Sequence, residues 1–260
     1  MRLSFQSTGI VPIILGTILV FLIQFNSAFS GDNGKWYVYG SLQQSNSRLT
    51  TGESFKNTYF YPGLRFSKED YNISLSLPLI IQSGEGTNPD SSLNTMESLH
   101  NVGVGDLYTS LEIILKNSYL HSYQISVNLE AKFPLATNGF GTGQFDGGFL
   151  LNFKKYYPNY FFLVSGGYLL LGDSETITFN NPFTFSIGAG KFFLDHKVGI
   201  FSYYEYYSDW IESFEAPQYM VIGLSWMTSD NMNLSSFLLR GFSESSPDFL
   251  VSFGFEFKLK

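Results

Sequence analysis

The sequence predicts an all-β chain, a transmembrane antiparallel up-and-down β-barrel, with twelve strands read from the pattern and ten or fourteen as alternatives. Three observations predict it. Apolar and polar residues alternate with period two along most of the chain, and no segment carries a convincing i, i+3, i+4, i+7 stripe. The connections between alternating segments are short and long in turn. Charged residues make up only 14% of the chain and aromatic residues 18%, whereas soluble domains carry about 25% charged residues. So few charges cannot coat a water-facing surface, and so many aromatics do not belong to a disordered chain.

The first element is an address. Arg2 is the only charge before Asp32, Ile10 to Ile23 is almost continuously apolar, and Ala28-Phe29-Ser30 offers small residues at the −3 and −1 positions before Gly31. This predicts a secretory signal peptide over 1–30, cleaved to leave a barrel over 31–260. A membrane anchor needs roughly 20 apolar residues, and this core is shorter and interrupted by Pro12 and Gly16. Losing Arg2 moves the formal charge from −7 to −8.

The predicted strands follow in order: Lys35–Ser45, Ser54–Ser67, Tyr71–Gln82, Val102–Leu115, Leu120–Pro134, Gln144–Tyr156, Tyr160–Leu171, Pro182–Leu194, Lys197–Ser208, Pro217–Thr228, Met232–Phe242 and Pro247–Leu259. The third puts Ile73, Leu75, Leu77, Leu79 and Ile81 on one face and Asn72, Ser74, Ser76 and Pro78 on the other. The fifth sets Ile125, Val127, Leu129, Ala131 and Phe133 against Ser126, Asn128, Glu130 and Lys132. The last sets Phe249, Val251, Phe253, Phe255, Phe257 and Leu259 against Leu250, Ser252, Gly254, Glu256 and Lys258. These runs exceed the mean strand of about 5–6 residues and suit the roughly 9–11 residues of a tilted membrane-spanning strand.

Connections after even strands are tight: Lys68-Glu69-Asp70, Lys116 to Tyr119, Pro158-Asn159, Asp195-His196 and Ser229-Asp230-Asn231. Those after odd strands are longer: Asn46 to Glu53, Ser83 to Asn101, Leu135 to Gly143, Gly172 to Asn181 and Asp209 to Ala216. Along antiparallel strands this places every long loop at one end, the plan of outer-membrane barrels. The expected location is therefore the bacterial outer membrane. Trp36, Tyr37, Tyr39, Tyr59, Tyr61, Tyr156, Tyr157, Tyr160, Phe161, Phe162, Tyr203, Tyr204, Tyr206, Tyr207, Trp210 and Tyr219 gather toward strand ends, which predicts two interfacial girdles.

If the apolar faces meet lipid, strand charges belong inside, because a charge at the bilayer midplane costs about 2–4 kcal/mol for Arg or Lys. The lumen-facing candidates are Arg65, Asp106, Glu112, Glu130, Lys132, Lys154, Glu205, Arg240, Glu256 and Lys258. Five are basic and five acidic, so the set can pair into a network that narrows the barrel or line a charged pathway.

Other chemistry is poorly supported. Without cysteine there is no disulfide framework and no Cys-ligated zinc or iron–sulfur site. An acidic chain offers phosphates no counter-charge, which argues against nucleic acid. The three histidines, His100, His121 and His196, sit at loop or strand edges, and His121-Ser122 does not reproduce the signature of the twelve-stranded outer-membrane phospholipase. No phosphate loop, EF-hand or HExxH run appears; Gly139-Phe140-Gly141-Thr142-Gly143 is not followed by a helix and reads as a hairpin loop. No catalytic residue, metal ligand or cofactor is expected.

Several segments resemble one family. Val102-Gly103-Val104-Gly105-Asp106-Leu107-Tyr108 resembles the G-x-GD-(L/I) strand opening of the outer-membrane transporter family of the meta-pathway of phenol degradation. Leu129 to Asn138 resembles that family's K-x-P-T-G segment, with Pro-Leu-Ala-Thr as a departure, and Gly141-Thr142-Gly143-Gln144-Phe145-Asp146 resembles its G-T-G-x-x-D. The strand Tyr71 to Ile81 is also similar, and the likeness runs from about Tyr71 to Phe193. It implies an outer-membrane barrel linked to uptake of hydrophobic or aromatic compounds. The closing strand resembles the barrel-assembly signal but ends Phe257-Lys258-Leu259-Lys260, without the usual terminal aromatic.

The functional expectation is a channel or transporter for small, hydrophobic or aromatic solutes. Its expected partners are membrane lipid, that solute and the barrel-assembly machinery. Two alternatives stand beside it. One is a plugged structural or surface-interaction barrel that binds through the loop Ser83 to Asn101. The other is a lipid-acting outer-membrane enzyme using a His and a Ser.

Overall fold

A computed structural model describes residues 34–48, 54–87, 96–118, 122–137, 140–174, 178–211, 214–243 and 245–259. The segment read as a signal peptide lies outside them. No helix among the described residues is long and apolar enough to cross a membrane; the chain is built from strands.

The described residues form fourteen strand segments: β1 (Lys35–Arg48), β2 (Ser54–Ser67), β3 (Tyr71–Ser76), β4 (Leu79–Thr87), β5 (Met96–Val104), β6 (Leu107–Ser118), β7 (Tyr123–Phe133), β8 (Asp146–Tyr156), β9 (Tyr160–Leu170), β10 (Phe183–Phe193), β11 (Val198–Tyr207), β12 (Gln218–Ser229), β13 (Met232–Gly241) and β14 (Phe249–Lys258). All pairings are antiparallel, and β1 pairs with both β14 and β2, which closes the barrel. β3 and β4 lie end to end along β2 and together form one stave. β5 and β6 form the next stave in the same way. The barrel therefore has twelve staves.

The two divided staves have separate causes. Pro78 has no N–H to give the ladder, nor has Pro62 near it on β2, and the strand is interrupted at Leu77-Pro78 without change of facing. Asn72, Ser74, Ser76, Pro78 and Ile80 are buried, while Ile73, Leu75, Leu79 and Ile81 are exposed. The next stave carries a bulge. Leu79 pairs with Val104 but Ser76 pairs with Tyr108, so two residues between the pairs on one side answer three on the other. The extra residue at Gly105-Asp106 switches which parity faces inward, and Asp106 becomes 3% exposed.

Burial follows the pleat throughout. The outer wall is apolar: Leu151, Phe162, Ile187, Ile222 and Phe253 are each about half exposed. Polar side chains fill the inside, including Ser126, Asn128, Asn152, Ser165, Ser186 and Ser252. This inversion of the soluble pattern is what a lipid solvent requires, and closure leaves no strand edge in the bilayer.

Two sequence expectations need correction here. The segment Ser83 to Asn101 is not one long loop, since the β4–β5 ladder runs from Leu79↔Val104 to Thr87↔Met96. Backbone pairing continues through residues that show no apolar alternation, because a ladder extending past the lipid has no apolar face to present. The tip, 88–95, lies outside the described residues. The aromatic girdles are also only half right. Trp36, Tyr157, Tyr160 and Phe162 do stand on the outer wall, but Tyr39, Tyr59, Tyr61, Phe161, Tyr203, Tyr207, Trp210 and Tyr219 are buried inside.

Candidate functional site

The inward face divides into two halves. Near the tight turns it is a paired polar network. Arg65 on β2 donates from Nε and Nη2 to both oxygens of Glu256 on β14, at 3.0 and 2.7 Å, and its guanidinium lies 4.2 Å from the Tyr37 ring. Glu112 on β6 accepts from Asn72 at 2.7 Å and Ser126 at 2.8 Å and has Lys154 at 3.8 Å. Lys258 stands on the same face as Glu256, partly exposed opposite Tyr37 at the turn end. Each positive charge in the middle of this half meets a carboxylate, which limits the cost of keeping it from water.

At the loop end, the three motif segments singled out in the sequence meet at one lysine. Lys132 Nζ, at the end of β7, lies 2.6 Å from Asp146 Oδ2 and 3.5 Å from Asp106 Oδ2, and donates to Thr142 Oγ1 at 2.8 Å. All three charged residues are at most 5% exposed. The bulge presents Asp106, the end of β7 presents Lys132, and the first residue of β8 presents Asp146. Both aspartates also hold backbone: Ala136 N donates to Asp106 Oδ1 at 3.0 Å and Gly172 N to Asp146 Oδ1 at 2.9 Å.

This cluster fastens the β7–β8 connection to the barrel. Thr137 N donates to Val104 O at 2.9 Å, and Val104 N returns a bond to Thr137 Oγ1 at 3.0 Å. Phe140, 2% exposed, packs over Gly103, where a Cβ would come within 2.7 Å of its ring. A Cβ at Gly141 would likewise meet an Asp106 carboxylate oxygen at 2.7 Å. Glycine in these motifs is thus required by close approach.

Beyond the cluster the wall is aromatic. Tyr59 and Tyr61 face inward from β2, and Tyr203, Tyr207, Trp210 and Tyr219 from the β11–β12 side; Tyr207 lies 6.2 Å from Tyr219 and 6.3 Å from Trp210 between ring centroids. Glu205, 2% exposed, accepts from Tyr207 Oη at 2.7 Å. Glu130 accepts from Asn128 Nδ2 at 2.7 Å. A small cavity of about 40 Å3, partly open to solvent, is lined by Tyr39, Ser74, Tyr108, Glu130, Lys132 and Asp146 among others. Sequence reading missed the inward tyrosines. The available signal was parity: Tyr59 and Tyr61 share the face of Arg65, and Tyr203 and Tyr207 the face of Glu205.

Arg240 departs from expectation. It lies on the outer face of β13, opposite Met220 and Phe249, which are both 40% exposed. Phe237-Leu238-Leu239 is apolar on both faces, so alternation gave no phase there. Arg240 sits near the loop-end rim, where the cost of an outward charge falls to about 0–1 kcal/mol, and donates to Asp248 O at 2.9 Å. His196 lies in the β10–β11 turn with Nε2 2.6 Å from Pro158 O. His121 lies outside the described residues, and His100 is placed only by its backbone, opposite Ser83. No cluster of three or more metal-ligating side chains occurs among the described residues.

The molecule is thus a twelve-stranded transmembrane β-barrel of the outer-membrane class. Its fold is similar to the COG4313 outer membrane channel from Pseudomonas putida F1 (TM-score 0.70, 9% identity, 87% of this chain and 96% of that one). It is also similar to the KdgM porin (0.54, 8%, 86% and 99%) and the CymD monoaromatic hydrocarbon channel (0.51, 8%, 91% and 92%). No protein-family model and no curated protein sequence matches the chain.

Proposed function

We propose that this chain is an outer-membrane channel for small solutes, aromatic compounds among them, oriented with its long connections outward. One observation carries the reading: inside a closed, lipid-facing wall lies a cavity, partly open to solvent, lined by tyrosine and polar side chains. Small-molecule sites combine apolar walls with a few placed polar groups. Solute enters at the loop end, meets the tyrosine wall and is sorted by size and charge at the lumen residues. The charged inward residues line this path, with Arg240 at the rim. The likeness in fold to channels and the motif resemblance to phenol-pathway transporters support the same reading. Residues 1–30 act as the export signal, and the alternating last strand engages the assembly machinery.

The turn-end network gives a second reading its foothold. Arg65–Glu256 and Glu112 with its partners occupy the lower lumen, as they would in a plugged structural barrel. Planar-bilayer conductance of the refolded protein separates the two. A channel gives current, and aromatic solutes reduce it reversibly; a plugged barrel gives neither.

A further inference from the structure

Charge is distributed unevenly along the lumen. In the turn-end half Arg65 is matched by Glu256, and Lys154 lies beside Glu112. In the loop-end half the inward carboxylates are Asp106, Asp146, Glu130 and Glu205, and Lys132 is the inward base among the described residues. Lys132 is committed to the two aspartates. Glu130 and Glu205 have no basic side chain within 4.0 Å among the described residues; the neutral donors Asn128 and Tyr207 hold them instead. The two carboxylates lie close enough to interact electrostatically.

The surroundings do not supply the missing charge, but they do supply what a cation needs. Between β7 and β11 the inner faces of β8, β9 and β10 carry uncharged residues beside the carboxylates, Gly148, Ser165, Gly167, Thr184, Ser186 and Gly188, with Leu169, Leu150 and Tyr203 packed against the three glycines. Tyr203, Tyr207 and Tyr219 are in electrostatic reach of Glu205, and Tyr108 shares the cavity wall with Glu130. Asn128, 2% exposed, gives its amide N–H to Glu130, and its Oδ1 has no hydrogen-bond partner. A buried acceptor without a donor is costly unless something fills it. Tyr61, 1% exposed, also has a hydroxyl without a partner. Carboxylates, an open acceptor and tyrosine faces are the set that binds an ammonium group carried on a small apolar body.

We infer that the loop-end lumen, at Glu130, Glu205 and Asn128 within the tyrosine wall, is a binding site for small organic cations, the ammonium meeting the carboxylates and the apolar body the tyrosines. This rests on the channel reading and specifies its solute by charge.

The test uses the full refolded chain in planar bilayers under a KCl gradient. Phenethylammonium and phenylacetate serve as cationic and anionic probes of matched size. The reversal potential should show selectivity for K+, phenethylammonium should block and phenylacetate should not. Glu130→Gln and Glu205→Gln should each weaken that block by about tenfold, the value of one charged hydrogen bond. If phenylacetate blocks as well, or both variants keep full block and selectivity, the cation site is refuted while the channel stands. If the protein carries no current, the channel reading fails and the site is judged by quenching of Trp and Tyr fluorescence. Saturable quenching by phenethylammonium, lost in the Glu130→Gln/Glu205→Gln double variant, upholds the site; no quenching refutes it.

Discussion

Arg65 and Glu256 are joined by two hydrogen bonds, from Nε at 3.0 Å and Nη2 at 2.7 Å, across the interior of the barrel. The pair ties β2 to β14 with β1 between them, so it spans the seam where the first and last staves close. A forked pair of this kind fixes relative position as well as charge.

Breaking that pair should loosen the seam. Arg65→Ala leaves Glu256 buried without its cation, and Glu256→Ala does the reverse. Each is expected to destabilise the barrel by about 3–5 kcal/mol, and removing both should cost less than the two effects added. Urea unfolding in detergent or liposomes, followed by the heat-dependent gel mobility of folded barrels, measures this.

Lys132 holds Asp106, Asp146 and Thr142 together. Lys132→Met keeps the stem and removes the charge, leaving two buried aspartates facing each other. The segment 134–143 should detach, with limited proteolysis within it rising at least several-fold, while the Asp106→Asn variant, which keeps a polar group for Ala136 N, should show a smaller change. Equal resistance in Lys132→Met and the parent would show that the loop is held by other means.

Phe140 packs over Gly103 and belongs to a buried cluster with Ile80, Tyr59 and Tyr61. Phe140→Ala should cost about 3–5 kcal/mol of stability and enlarge the loop-end cavity, which single-channel conductance would register as an increase. Gly103→Val places a branched side chain where Phe140 sits and should produce the same loop release as loss of Lys132.

The outer wall makes a prediction by depth. Leu151, in the middle of β8, and Leu135, beyond the end of β7, are exposed alike, at 53% and 55%. Leu151→Arg should cost about 2–4 kcal/mol and Leu135→Arg about 0–1 in liposome folding equilibria. Equal costs would argue that the belt does not lie in lipid.

Much of the architecture could be read from single residues. Ile73, Leu75, Leu79 and Ile81 face out and Asn72, Ser74 and Ser76 face in, because the pleat allows only two faces and lipid accepts only one kind of side chain. The β7 and β14 alternations behave alike. Where both faces are apolar, as at Phe237-Leu238-Leu239, that logic has nothing to choose between, and Arg240 stands on the outer face rather than in the lumen.

What period two determined, then, was the strand set, the lipid-facing wall and which strand charges avoid it. Tertiary structure alone decided which inward groups meet. Lys132 reaches Asp106 because a one-residue bulge at Gly105-Asp106 turns that carboxylate inward. Arg65 reaches Glu256 because closure brings the second and last staves to either side of the first. The facing of the tyrosines was legible in strand parity, but which of them meet, as Tyr207 meets Tyr219 and Trp210, was decided by register. Alternation is a local property of each strand, whereas register, bulge and closure are relations between strands distant in sequence.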